Sequence, residues 1–152
     1  SKSTDAGDTW TTITNGLPSG WLASGFVTDP ATPGRVYALG SFATGGVYRS
    51  DNAGGSWISI ASGLPDGGTG LFQPPWQVTA LAVDAKNPSL LYAASAAGGL
   101  YRSTDAGASW RLVPGLALPI VQSIAINPSD PSRIYVGTQR HPEDVFVVKI
   151  VQ

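Results

Sequence analysis

The sequence predicts an all-β fold made of repeated four-stranded units, the blades of a β-propeller. Three observations predict it. An eight-residue stretch is written three times, as STDAGDTW at 3–10, SDNAGGSW at 50–57 and STDAGASW at 103–110. Each copy stands in a fixed order among short runs rich in Val, Ile, Tyr and Trp, separated by Gly, Pro, Asn and Asp, as strands and their turns are. No segment carries the i, i+3, i+4, i+7 apolar spacing of an amphipathic helix. Trp10 and Trp57 are 47 residues apart, and Trp57 and Trp110 are 53 apart. That is close to the period of roughly 40–50 residues expected of propeller blades.

The runs can be taken in order as strands a to d. Strand a is SGFVTD (24–29), VTALAVD (78–84) and VQSIAIN (121–127). Pro-containing turns follow: TDPATPG (28–34), VDAKNPS (83–89) and INPSDPS (126–132). Strand b is GRVYALG (34–40), SLLYAAS (89–95) and SRIYVGT (132–138). Strand c is GGVYRS (45–50), GGLYRS (98–103) and the divergent EDVFVVKI (143–150). Strand d opens on the Trp of each eight-mer: WTTIT (10–14), WISIA (57–61) and WRLVP (110–114). The expected organisation is a single segment, 1–152, with blades at about 24–61, 78–114 and 121–150 and a leading d strand at 10–14 that belongs to a closing blade. Aligning Lys149 with Lys2 gives 147 residues for three repeats, or 49 each.

This order makes the eight-mer the c–d turn, and its residue types suit a turn. Asp5, Asn52 and Asp105 can accept hydrogen bonds from the backbone N–H groups of their own loop. Gly7, Gly54 and Gly107 can adopt positive φ. Trp10, Trp57 and Trp110 can bury a large apolar face where blades meet while the indole N–H finds an acceptor.

The pattern Ser-x-Asp-x-Gly-x-x-Trp resembles the Asp-box, or bacterial neuraminidase repeat. That repeat is found in sialidases, xyloglucan-degrading glycoside hydrolases, sortilin-type receptors and a photosystem assembly factor. The resemblance covers nearly the whole chain and implies a propeller. It also implies that the eight-mer is a structural turn on the blade periphery, away from any active site, so its Asp and Asn residues are expected to be caps and not catalysts. The loop lacks the staggered oxygens of an EF-hand, so they are not expected to be calcium ligands either. Sialidases of this fold use three clustered Arg with a Tyr–Glu pair. Here Arg49, Arg102 and Lys2 occupy repeat positions, and Glu143 is the one Glu. The sialidase constellation is absent.

Composition narrows the function classes. Charged residues are 12% of the 152, against roughly 25% in typical domains. The net charge of −1 leaves no electrostatic footprint for nucleic acid. There is no Cys, hence no disulfide or thiolate metal site. No apolar run approaches the roughly 18 residues of a membrane span, and no membrane insertion is expected. Few Lys and Glu among many Ser, Thr and Gly point to an extracytoplasmic or secreted protein. A chain beginning at Ser1, with no signal peptide, reads as a processed form or a cut fragment. No glycine-rich phosphate loop and no metal-ligand cluster occurs, so no cofactor and no metal are expected.

Candidate binding residues lie in the d-to-a and b-to-c loops, the face of a propeller that usually binds. The d-to-a loops are 15–24, 62–77 and 115–120, and the second is the longest irregular segment. Trp21 and Trp76 stand there outside the repeated Trp position, with Phe72 and Asp66 nearby. They read either as stacking platforms for a sugar or a protein side chain, or as seals of the blade mouth. The 138–144 stretch, TQRHPED, is expected to be the third b-to-c loop and carries Arg140 and His141, the one His, beside Glu143. Such a cluster reads as an acid–base pair or as a solvated loop tip, the latter being the expectation. A glycosidase needs two carboxylates at a set separation, and no such pair is visible, so no catalytic residue is assigned. The function expected is a non-catalytic binding or assembly module acting through the face around Trp21 and Trp76. The alternative is part of a glycan-active propeller, a hydrolase or a lectin. The expected partners are a glycan or protein ligand and further propeller blades. Those blades come from a second copy lending residues 10–14, or from another chain or the rest of a longer one.

Overall fold

The computed structural model describes residues 1–41, 45–65, 77–96, 98–114, 120–141 and 144–151, and from residue 139 onward it describes the backbone. The described residues form eleven strands and no helix. Strands β1 (Ala23–Thr28), β2 (Val36–Gly40), β3 (Val47–Ser50) and β4 (Ile58–Ser59) form one antiparallel sheet in chain order. Strands β5 (Val78–Val83), β6 (Leu91–Ser95), β7 (Leu100–Ser103) and β8 (Arg111–Leu112) form a second sheet of the same order. Strands β9 (Ile120–Ile126), β10 (Arg133–His141) and β11 (Asp144–Val151) form a third sheet, ordered β11-β10-β9. The registers repeat: Tyr37 pairs with Arg49, Tyr92 with Arg102 and Tyr135 with Lys149.

Two apolar layers hold the sheets together. Between the first and second lie Tyr37, Leu39 and Val47 against Leu81, Leu91 and Trp110. Between the second and third lie Tyr92, Ala94 and Leu100 against Val121, Ile134 and Val136. Each large side chain fully buried here contributes about 1.5–3 kcal/mol. The small Ala93 and Ala94 let neighbouring sheets approach closely.

The turns between the first two strands of each sheet are closed by one acceptor. Asp29 accepts from the N–H groups of Ala31 and Thr32 at 2.9 and 3.0 Å. Asp84 accepts from Lys86 and Asn87, and Asn127 from Ser129 and Asp130. These turns share an edge with the eight-residue turns. The Ala53 N–H donates to Gly34 O at 2.7 Å, and Ala106 N–H to Ser89 O at 2.9 Å.

Two sequence expectations are corrected. The d strands are shorter than 10–14, 57–61 and 110–114: β4 and β8 hold two residues each, and the first reduces to a bridge between Lys2 and Thr11. The Trp residues leave the ladder because their backbones turn to the preceding unit, Trp57 N–H donating to Asn15 O and Trp110 N–H to Ser62 O, both at 2.9 Å. The 138–144 stretch is mostly strand, with β10 running to His141 and β11 starting at Asp144. Its polar residues masked a ladder continued by Val145 and Phe146, opposite Gln139 and Thr138, with a register shift before His141.

Candidate functional site

The three eight-residue turns are built alike. In the third, the Ser103 hydroxyl donates to Asp105 Oδ1 at 2.7 Å and accepts the Gly107 N–H at 2.8 Å. The Ser109 N–H and hydroxyl both donate to the Asp105 carboxylate. The first turn repeats these bonds with Ser3, Asp5, Gly7 and Thr9. In the second, Asn52 accepts the Ser56 N–H at 2.8 Å and donates its amide to the Ser56 hydroxyl at 3.0 Å. The donors converging on Asp105 and Asp5 hold both carboxyls at about 2, below the usual 3.8, Ser109 and Thr9 being the main causes. Ala6, Ala53 and Ala106 take φ of 57°, 55° and 56°, the left-handed region.

The outward ends of two turns lock onto the preceding unit. The Trp57 indole donates to Ile13 O at 3.0 Å, and the Trp110 indole to Ile60 O at 2.7 Å. The Arg49 guanidinium reaches forward to Ala106 O at 2.8 Å and pairs with Asp51, which also binds Arg35 at 2.7 Å. A Cβ at Gly107 would lie 2.6 Å from Ile60 Cδ1, and one at Gly54 equally close to Ile13 Cδ1. The same contacts are open at the two outer faces. Trp10 is 66% exposed, against 4% for Trp57 and 3% for Trp110, and its indole turns back to Gly7 O. Phe26 is 54% exposed where its counterpart Leu81 is 7%. Tyr135 is 38% exposed where Tyr37 and Tyr92 are 0% and 1%.

The loop edge holds Trp21, just before β1. It is half-buried; its indole donates to Gly45 O at 2.9 Å, and its ring meets Tyr48 edge-on at 5.2 Å. Trp21 is thereby fixed beside the β2–β3 connection. Arg140 and His141 lie at the end of β10, where Gln139 pairs with Ile120 and His141 with Asp144. The backbone therefore places them at the corresponding loop edge of the third sheet. Asp66, Phe72 and Trp76 lie outside the described residues. Among the described residues, no group of three or more His, Asp or Glu is placed to hold a metal ion, and no helix is long and apolar enough to cross a membrane. Sequence reasoning missed that Phe26 and Tyr135 stay exposed where Leu81, Tyr37 and Tyr92 are buried. The signal was available in the repeat itself, since each is the counterpart of a residue at an internal junction.

Comparison with solved structures identifies these sheets as β-propeller blades. The chain superposes on a GH74 xyloglucanase from Xanthomonas campestris with a TM-score of 0.76 and 24% identity, over 99% of this chain and 24% of that one. It superposes on the GH74 enzyme of Niastella koreensis with a TM-score of 0.64 and 20% identity, over 86% of this chain and 21% of that one. YCF48, solved bound to a D1 peptide, matches at a TM-score of 0.51 and 12% identity, over 90% of this chain and 43% of that one. The chain thus spans about a quarter of the xyloglucanase's length. No family model and no curated protein matches the sequence.

Proposed function

We propose that the chain is a non-catalytic binding and assembly module built on Asp-box propeller blades, extracytoplasmic, and completed by further blades. The residues proposed to meet its ligand are Trp21 and Trp76, with Asp66, Phe72, Arg140 and His141. The observation that carries this reading is the use made of six of the ten carboxylates. Asp5 and Asp105 tie the eight-residue turns, Asp29 and Asp84 cap the turns after β1 and β5, and Asp51 and Asp130 pair with Arg. Each is bound into the scaffold on the turn side or by an Arg, away from the loop edge where a propeller ligand would sit. A peptide is the first ligand class, because a propeller of the same fold, YCF48, is solved with a peptide bound. A glycan is the alternative, since other propellers of this fold are xyloglucanases.

The test is a screen of the chain on a peptide library and a glycan array, with a hydrolysis assay on β-glucans alongside. Binding without turnover is expected. Trp76→Ala should weaken it by about 2 kcal/mol or more, the cost of losing an aromatic anchor, while leaving the melting temperature in place. Release of sugar from a β-glucan would replace this reading with the glycan-active one. A large loss of stability in Trp76→Ala would make that residue core and remove it from the site.

A further inference from the structure

Two arginines of the second sheet lack the counter-charge that their counterpart in the first sheet has. We propose that they form a binding site for a carboxylate, apart from the loop edge around Trp21. The first sheet shows what an arginine at this position uses. In β3, Arg49 pairs with Asp51, its Nε donating at 3.1 Å, and Asp51 also accepts from Arg35 at 2.7 Å. Across the ladder, Arg49 faces the uncharged Ile58 of β4. Arg49 therefore has a carboxylate beside it and no like charge opposite.

The second sheet keeps the arginine and changes its surroundings. Arg102 pairs with Tyr92 as Arg49 pairs with Tyr37, so the two arginines are equivalent. Thr104 stands in the place of Asp51, Leu90 in that of Arg35 and Arg111 in that of Ile58. Arg102 and Arg111 lie directly opposite each other across β7 and β8. Like charges directly opposite on neighbouring strands destabilise a sheet. Among the described residues, ion pairs are made by Arg35, Arg49 and Arg133, and by neither of these two. Asp105, the carboxylate of the adjoining turn, is taken up by Ser103 and Ser109. The Arg102 Nε is buried with no hydrogen-bond partner among the described residues. A cation withdrawn from water in this way is costly until an anion reaches it. Arg49 also donates to a carbonyl of the next unit, Ala106 O at 2.8 Å, and has Asp51 in addition. A further blade at this edge would thus supply a carbonyl, and the negative charge would still be missing.

The space fits a small acid. A cavity of about 340 Å³ opens beside the third eight-residue turn, lined by Arg102, Thr104, Ser109, Arg111, Val113 and Pro114. Its lining holds two cations and no carboxylate. The volume lies within the roughly 300–1,000 Å³ of ligand pockets, and well above the roughly 30 Å³ share of one water. A guanidinium binds a carboxylate through two parallel N–H···O bonds. The ligand class is therefore a compact organic acid, its carboxylates on Arg102 and Arg111 and its carbon chain against Val113 and Pro114. The same chemistry can come from a free acid or from acidic side chains on a polypeptide.

The test follows the Arg Nε–H resonances of the isotope-labelled chain by NMR. The chain is titrated with sodium succinate and, separately, with diglutamyl amide, each against sodium chloride at matched ionic strength. Arg102 and Arg111 are expected to shift saturably, while Arg49, already held by Asp51, follows the chloride control. A response to succinate alone makes a free acid the source. A response to the dipeptide alone makes it a polypeptide, and a response to both means that the carboxylate itself is what is recognised. Thr104→Asp puts a carboxylate where Asp51 stands in the first sheet, and should abolish the response with the melting temperature kept or raised. Thr104→Asn should retain it. Arg111→Ile, which restores the neighbour that Arg49 has, should weaken binding about tenfold or more, as the loss of one charge-assisted hydrogen bond does. Shifts at Arg102 no larger than those at Arg49 with both probes overturn the proposal. So does an undiminished response in Thr104→Asp.

Discussion

The turn at 3–10 and the turn at 103–110 have nearly the same sequence and the same internal bonds, yet different fates. In both, the Ser hydroxyl donates to the carboxylate at 2.7 Å and accepts the Gly N–H at 2.8 Å. In both, the carboxyl is held at about 2. But Trp110 is buried on Ile60, while Trp10 lies open and its indole returns to its own loop. The Ser, Asp and Gly of the pattern close a turn from local hydrogen bonds alone. The Trp contributes only when another blade stands in front of it. Local geometry and blade joining are thus separable parts of one eight-residue pattern.

The sharpest way to break that comparison is to remove the Trp from each turn. Trp110→Ala should cost about 3–5 kcal/mol, the range for truncating a buried aromatic, because it empties part of the first apolar layer and strands the Ile60 carbonyl. Trp10→Ala should cost about 1 kcal/mol or less, as exposed substitutions do. Urea unfolding of the two variants measures both. Equal costs would mean that Trp10 is packed as Trp110 is.

The turn glycines give a smaller contrast. Gly107 has φ +89° and Gly7 φ +103°, so an Ala at either carries left-handed strain of about 1–2 kcal/mol. At Gly107 the new methyl also collides with Ile60 Cδ1, whereas at Gly7 the nearest atom is 4.0 Å away. Gly107→Ala should therefore lose about 2–4 kcal/mol once overpacking is added, and Gly7→Ala only the strain. If thermal unfolding showed no difference between them, the glycine would be needed for backbone shape and not for blade contact.

The same separation explains what was legible in the sequence. The repeated pattern and the period-2 runs carried the sheets, because strand formation and turn closure are local and each unit was written more than once. The Tyr37, Tyr92 and Tyr135 register could be read the same way. Strand d was over-extended because Trp57 and Trp110 look like strand residues but spend their N–H groups on Asn15 and Ser62 of the unit before. The 138–144 stretch was under-extended because Gln, Arg and His are poor strand signals, while Phe146 and Val145, opposite Thr138 and Gln139 in β11, are good ones. Trp21 was legible as an aromatic outside the repeat, but its anchor on Gly45 and Tyr48 lies more than 20 residues away along the chain. Pattern reasoning has no access to contacts of that kind.

The smallest expected effect separates the charged turns from the neutral one. Asp105 has its pKa lowered to about 2 from 3.8, chiefly by the Ser109 hydroxyl and N–H and then by the Ser103 hydroxyl. A folded pKa below the unfolded one means that the unfolded chain binds the proton more tightly. The stabilisation is therefore complete above about pH 4 and is lost as pH falls from 3.8 towards 2. Solvent screening keeps it small, because this carboxylate is exposed. The second turn has no such dependence, since Asn52 makes the corresponding bonds to Ser56 without a charge. Asp105→Asn should then be close to neutral at pH 7, with the amide donating to the Ser109 hydroxyl as Asn52 does to Ser56. Below pH 4 its melting temperature should fall less steeply than that of the parent chain. Asp5→Asn should flatten the same limb through Thr9. If melting curves from pH 7 to pH 2 ran parallel for the parent and Asp105→Asn, the hydrogen bonds to this carboxylate would not be what holds the turn.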